Sequence, residues 1–338
     1  SQVIFDASLF TGIKISKNAK DLVVLKSFMT QEELIFNIGN AFYDIVYSQS
    51  LHENNLTTLT IMDSIYRKTE MQVKQHITRE IDLNRMRINI SNLKVEKEKT
   101  EAIMAQQKNY LRILMGMPLE TIFELADDEI FVLPENNYLA DSNNIESKTE
   151  LQILYNEKTG GLLEIKQLKM SYLPSLSLMA SSGYTFQANE LDIKNHNNWS
   201  NGTYLKLNFS IPIFDGFTKH RKIRQAQIRV NKTEEDIRQI KQNTLSDLQN
   251  AQMQLYVNSR AVKAQQENME LAGRTYRQSI MLYEEGLYGI TDLLDTEKSF
   301  REAQTACDYE MVNYRKALLD LKKAEGTLQS LINKLQNK

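Results

Sequence analysis

Two carboxylates, Asp292 and Asp295, stand three positions apart just after Gly286-Leu287-Tyr288-Gly289, and of all residues here they come nearest to a chemical pattern. An acid pair can in principle share general-acid and general-base work. This one has no histidine near it to support that role. His52, His76, His196 and His220 are dispersed, and none belongs to an HExxH-type pair. No glycine-rich phosphate loop and no nucleophile elbow occurs. The single cysteine, Cys307, excludes an internal disulfide and any Cys-rich metal site. Its place on a helical seam suits a small buried apolar residue. No enzyme and no cofactor are therefore expected. The plain role of the two acids is to cap a helix and offset its dipole. They would still line a narrow passage if several chains converged there.

Those acids sit on one of a matched set of elements. Ile4-Phe5-Asp6-Ala7 returns as Ile213-Phe214-Asp215-Gly216, and Ile81-Asp82-Leu83 returns as Thr291-Asp292-Leu293. Asp6 precedes Asp82 by 76 residues and Asp215 precedes Asp292 by 77; Gly116 and Gly326 each follow 34 residues later. A period this long reads as duplication of a whole structural half. Four prolines and 12 glycines in 338 residues favour long uninterrupted helices. Pro118, Pro134, Pro174 and Pro212 all fall between the helical stretches.

Helix-permissive residues run from about Lys20 to Gln75, a turn is expected over His76–Asp82, and a second pattern from Leu83 ends at Gly116-Met117-Pro118. Residues 119–148, with Pro134 and Asn136-Asn137, read as an irregular connector before a helix over about Thr149–Lys169. After Gly216 a helix of about 70 residues, roughly 100 Å at the ordinary rise, reaches Glu285. Its seam includes Ile237, Ile240, Thr244, Leu248, Ala251 and Leu255. A last seam passes through Phe300, Ala303, Cys307, Glu310, Tyr314, Ala317, Leu321, Ala324 and Leu328 to Leu331, in alternating steps of three and four. These are narrow coiled-coil seams.

Between the halves lies a different period. Ser175-Leu176-Ser177-Leu178 and the stretch from Tyr204 to Ile211 alternate strictly, placing Leu205, Leu207, Phe209 and Ile211 on one face. A polar loop over 187–198 separates them, with Tyr184, Phe186, Trp199 and Tyr204 near it. Taken alone, the alternation suits a sheet packed on a soluble core. Long helices offer little to pack on it, however, and a lone hairpin is marginal in water. Partner chains or lipid would supply the missing contacts, and aromatics near the tip suit a membrane-interface girdle. No run of 18 apolar residues exists to span a bilayer as a helix, which leaves a β-barrel open. Net charge −2 and pI near 6.2 give no reason to expect nucleic acid. The basic run Lys219-His220-Arg221-Lys222 with Arg224 is either a solvated face or a contact for lipid phosphates.

Tyr172-Leu173-Pro174-Ser175-Leu176-Ser177-Leu178, the turn Pro212-Ile213-Phe214-Asp215-Gly216, and Tyr283-Glu284-Glu285-Gly286 followed by Thr291-Asp292-Leu293-Leu294-Asp295 closely resemble the TolC-like outer-membrane efflux proteins. The resemblance implies a mainly α protein with a small β part, whose coiled-coil helices form a tunnel and whose strands join a transmembrane barrel shared by a homotrimer. It implies a passive outer-membrane exit duct with a periplasmic tunnel, served by a periplasmic adaptor and an inner-membrane transporter and surrounded by outer-membrane lipid. Residues 1–118 would be the first repeat, 119–170 the connector and equatorial helices, 171–216 the membrane hairpin, and 217–338 the second helix pair. Asp292 and Asp295 match the aperture acids, which form carboxylate rings around the three-fold axis. Asp82 and Tyr283 match residues that hold the tip closed. The family arginine of that lock falls on Tyr288, leaving Arg79 in the other turn as its substitute. Only three residues precede the first Ile-Phe-Asp, so a further hairpin and helix are expected before Ser1. A periplasmic adaptor is the alternative, yet it would bring a glycine-rich lipoyl-like β domain. A soluble coiled-coil scaffold would leave the hairpin unexplained.

Overall fold

The doubled aspartate is the residue that starts each long helix. In the computed structural model, which describes residues 2–125, 142–187 and 199–328, Asp6 Oδ1 accepts a hydrogen bond from the Ser8 amide at 2.8 Å. Asp215 Oδ2 likewise accepts from the Lys219 amide at 2.9 Å. Each occupies an amide that the first helical turn leaves without a partner. The helices that follow are α1 (Ala7–Lys74), α2 (Glu80–Leu114), α3 (Thr149–Met170), α4 (Thr218–Glu284) and α5 (Ile290–Ala324). α1 and α4 have 68 and 67 residues, and α2 and α5 have 35 each, so the repeat is one of structure as well as spelling.

Both shorter helices end alike. Gly116 and Gly326 adopt φ of 65° and 70°. The amides of Met117 and Thr327 reach back to the carbonyls of Arg112 and Lys322 at 2.9 and 3.0 Å. That left-handed residue is where glycine spares the chain a steric penalty.

Three boundaries differ from the sequence reading. α1 begins at Ala7, well before Lys20, because Asp6 caps it directly and the β-branched Ile13 and Ile15 are tolerated in a helix. α5 ends at Ala324, since Gly326 breaks the seam that the heptad count carried on to Leu331; Leu331 lies outside the described residues. The connector holds a short 3₁₀ helix over Ser142–Ser147, while its Pro134 and Asn136-Asn137 lie outside the described residues, as does the loop through 188–198.

One unit of the fold comprises the residues up to Met29 with Glu146–Gln242. Here β1 (Gln2–Phe5), β2 (Ser175–Phe186) and β3 (Trp199–Ser210) form an antiparallel sheet in the order β1-β2-β3. α3 fits closely against its neighbours in this unit. A Cβ added at Gly161 would sit 2.7 Å from Val230 Cγ2 of α4, and Asn18 Nδ2 of α1 donates to Asn156 Oδ1 of α3 at 2.9 Å. Gly161→Val is therefore expected to overpack this joint and cost about 1–3 kcal/mol. Val230→Ala in the same protein should restore part of the lost thermal midpoint, measured by heat denaturation in detergent.

The basic run lies at the start of α4. Lys219 Nζ donates to the carbonyl of Ser171 at 2.7 Å and lies 5.1 Å from the Tyr172 ring centroid, closing the C-terminal end of α3. His220, Arg221, Lys222 and Arg224 are exposed.

The second unit holds Thr30–Ile145 and the chain from Asn243 onward. α4 and α5 meet along Leu248, Leu255 and Val262 against Met311, Tyr314, Ala317, Leu321 and Ala324. The expected seam is thus buried, with alanines admitting close approach. α1 and α2 meet through Ala41, Ile45 and Leu111. A third cluster draws on all four helices, through Met62, Ile65, Met86, Leu93, Tyr276, Ile290 and Leu293. Among the described residues no helix is long and apolar enough to cross a membrane.

Candidate gate and membrane hairpin

Two turns, one from each repeat, sit beside that third cluster. After α1 the amides of His76 and Ile77 reach the carbonyls of Val73 and Gln72 at 3.0 and 2.9 Å. After α4 the amides of Gly286 and Leu287 reach Tyr283 and Leu282 at the same two distances. Both turns need a left-handed residue. The second repeat supplies Gly286 (φ 74°), whereas the first uses His76 (φ 58°) and bears the strain of a side chain there. The helices restart at Glu80 and Ile290, so Asp82 and Asp292 lie inside a first turn. Arg79 and Gly289 hold the N-cap positions, and neither helix has a side-chain cap. The capping role considered for Asp292 and Asp295 is therefore not filled. Both acids are exposed, and Leu293 between them is 0 % exposed. Helical spacing thus anchors the turn through Leu293 and presents the carboxylates to solvent.

The residues expected to close the tip are distributed in a way the sequence did not indicate. The Thr69 hydroxyl donates to the Ile65 carbonyl at 3.0 Å, so the Tyr283 hydroxyl, 2.6 Å away, is the donor to Thr69. Burial pushes the Tyr283 phenol up, the Thr69 bond opposes this, and the Asp82 charge adds to the rise, keeping the phenol protonated as a donor. Asp82 is buried, and its Oδ2 accepts from Arg79 Nε at 3.3 Å. Arg85 lies 3.9 Å from Asp82 Oδ1 and donates to Thr291 of α5. Lys68 pairs with Glu284. Arg79 thus serves its own hairpin, and beside the two turns the α1–α2 and α4–α5 hairpins are joined by Thr69–Tyr283, Lys68–Glu284 and Arg85–Thr291. Lys68, Thr69, Arg85 and Glu284 were not singled out from sequence. Their partners lie 206 to 216 residues away, and no local pattern marks such pairs.

In the sheet, register sorts the aromatics. β2 pairs with β3 so that Leu176, Leu178, Ala180, Tyr184 and Phe186 stand opposite Phe209, Leu207, Leu205, Asn201 and Trp199. Directly opposed residues share a face. The Phe186 and Trp199 rings are 5.3 Å apart at that face's loop end. Tyr204, opposite Ser181, falls on the other face with Lys206 and Asn208. It is thereby separated from Tyr184, Phe186 and Trp199, with which sequence position had grouped it.

Among the described residues no group of three or more His, Cys, Asp or Glu is placed to hold a metal ion. The fold has close counterparts. The outer membrane channel CmeC of Campylobacter jejuni superposes with a TM-score of 0.75 at 16% identity, over 97% of this chain and 71% of that one. The outer membrane channel MtrE of Neisseria gonorrhoeae, solved in an open state, gives 0.71 at 19%, over 95% and 71%. The outer membrane protein TolC of Salmonella enteritidis is 20% identical over 97% of this chain and 68% of its own length. The family model for outer membrane efflux proteins matches residues 163–333, half of the chain, taking in the hairpin, α4 and α5. The chain belongs to the outer membrane efflux protein family, whose members are non-catalytic channels of the outer membrane with a tunnel in the periplasm.

Proposed function

We propose that three copies of this chain assemble into a passive exit duct for efflux or secretion. In this arrangement the strand that opens residues 1–118 and the hairpin of 171–216 enter a shared transmembrane barrel, the helices of 1–118 and 217–338 form the tunnel, and 119–170 lie around its middle. One observation carries the membrane part. Leu205, Leu207 and Phe209 remain 72%, 62% and 63% exposed, with nothing among the described residues to cover them. Burying such a side chain is worth about 1.5–3 kcal/mol, so leaving a row of them in water is costly. Lipid covers them in the proposed barrel, while Lys206 and Asn208 turn to the lumen together with Tyr204. Tyr184, Phe186 and Trp199 take the lipid interface. β3 is an edge strand among the described residues, and its open edge pairs with a strand of a neighbouring copy in the proposed barrel.

The tunnel end is the gate. Asp292 and Asp295 of the three copies converge there as an aperture that favours cations. The periplasmic adaptor and inner-membrane transporter bias the tip towards a splayed form that they bind better, and the transporter supplies the energy. Extraction and mass measurement test the assembly. The full-length protein should leave the membrane fraction only with detergent and run at three times its protomer mass. A monomer soluble without detergent would end the proposal.

A further inference from the structure

One carboxylate in the gate core is not used by any of these roles. Glu297 of α5 is 1% exposed, and its Oε2 has no hydrogen-bond partner. It falls three and four residues from Phe300 and Leu293, on the seam itself. Two further buried polar atoms without partners lie beside it: Oδ1 of Asn89 on α2 and the hydroxyl of Tyr276 on α4. The Asn89 side chain hydrogen-bonds the Glu297 carboxyl, and the Tyr276 phenol is raised by burial and by the Glu297 charge. Three buried oxygens left unsatisfied together are unusual, since each costs about 1–3 kcal/mol if nothing meets it.

The local charges do not balance either. Arg301 is the cation facing Glu297, with Nε 3.2 Å from Oε1. The same guanidinium also reaches Glu96 Oε2 of α2 at 2.6 Å. One positive group therefore serves two carboxylates, and the buried one is the costlier to leave charged. α1 turns Met62 and Ile65 towards this core, which add no compensating charge. A proton on Oε2 would remove the surplus charge and let that atom donate one hydrogen bond, to Asn89 Oδ1 or to the Tyr276 hydroxyl.

We propose that Asn89, Tyr276 and Glu297 form a buried proton-binding site, and that the packing of α2, α4 and α5 beside the tip holds a proton there that is released when those helices part. The ligand is the proton itself, so the device couples the gate to periplasmic pH. Desolvation, aided by Glu96, raises Glu297 above the ordinary carboxyl value, with Arg301 and Asn89 opposing it. The packed state therefore binds the proton more tightly than the parted or unfolded state. Its stabilisation is complete below the ordinary value of 4.5 and is lost as pH rises through the raised one. Acid should hold the tip packed, and rising pH should loosen it.

The site rests on the proposed gate for its meaning, but its test needs no channel. Glu297→Gln mimics the protonated acid, keeping an acceptor for Arg301 and offering a donor to Asn89. In detergent-extracted full-length protein, the thermal midpoints of wild type and Glu297→Gln should coincide near pH 4.5. They should diverge as pH rises, with the glutamine protein the more stable. Wild type should also show an infrared carboxylic-acid band that persists above the pH at which ordinary carboxyls ionise, that Glu297→Gln removes and that survives Asp308→Asn with Asp320→Asn, since burial raises those two acids as well. A pH-independent difference in midpoints, or no such band in wild type, would overturn the proton site and leave the duct proposal standing. If Glu297→Gln does not fold, a wild-type band that survives Asp308→Asn with Asp320→Asn supports the site, and the absence of that band overturns it.

Discussion

Leu293→Ala is expected to lower the thermal midpoint and, in planar bilayers, to raise the resting conductance of the assembled protein. Leu293 is fully buried where α1, α2, α4 and α5 meet, with Met62, Met86, Leu93, Tyr276 and Ile290 around it. Truncating a leucine in such a place costs about 2–5 kcal/mol, through lost transfer energy and the cavity left behind. The polar links of the tip are worth less. Lys68–Glu284 is half exposed on both sides, and pairs of that kind contribute about 0–1 kcal/mol. Apolar packing, more than the links between the hairpins, should therefore hold the gate shut. Leu271→Ala, at an exposed position of α4, is the control and should change stability by no more than about 0.5 kcal/mol. A fall in midpoint with unchanged conductance would separate this core from the gate.

Asp292→Ala combined with Asp295→Ala should have the opposite profile. Neither carboxylate has a partner among the described residues, and both are exposed, so stability should fall little. Asp292 lies in the first turn of α5, where losing its interaction with the helix dipole costs about 0.3–1 kcal/mol. The large effect falls on ions. In water, two unit charges at 4 Å attract by about 1 kcal/mol, and a trivalent cation facing several carboxylates gathers multiples of that. Block by such a cation should weaken at least about tenfold, which corresponds to about 1.4 kcal/mol. Raising salt should weaken block of the wild-type channel in the same direction.

Much of this was legible because the chain repeats itself. Asp6 and Asp215 cap equivalent helices, and Gly116 and Gly326 end equivalent helices through the same backbone turn. Caps and left-handed glycines are local, so sequence carries them directly. The seam from Phe300 to Ala324 was equally plain, since a period of three and four has one geometric meaning. Strand register is another matter. The alternation from Tyr204 to Ile211 already put this tyrosine off the leucine face, but only the pairing of β2 with β3 shows that Tyr184, Phe186 and Trp199 share that leucine face. The links at the gate join side chains more than 200 residues apart, and Arg85 and Thr69 have nothing local to mark them. Glu297 did carry a signal: a charged residue on an apolar seam, three positions before Phe300.

The central claim is that the duct is narrowest at one end, where Asp292 and Asp295 gather. Adding a trivalent cation to one side and then the other of a planar bilayer that holds the wild-type protein in one orientation tests this directly. Strong block should come from a single side, and the doubly substituted protein should lose that block while still conducting. Equal block from both sides, or strong one-sided block that survives removal of both acids, would contradict the account.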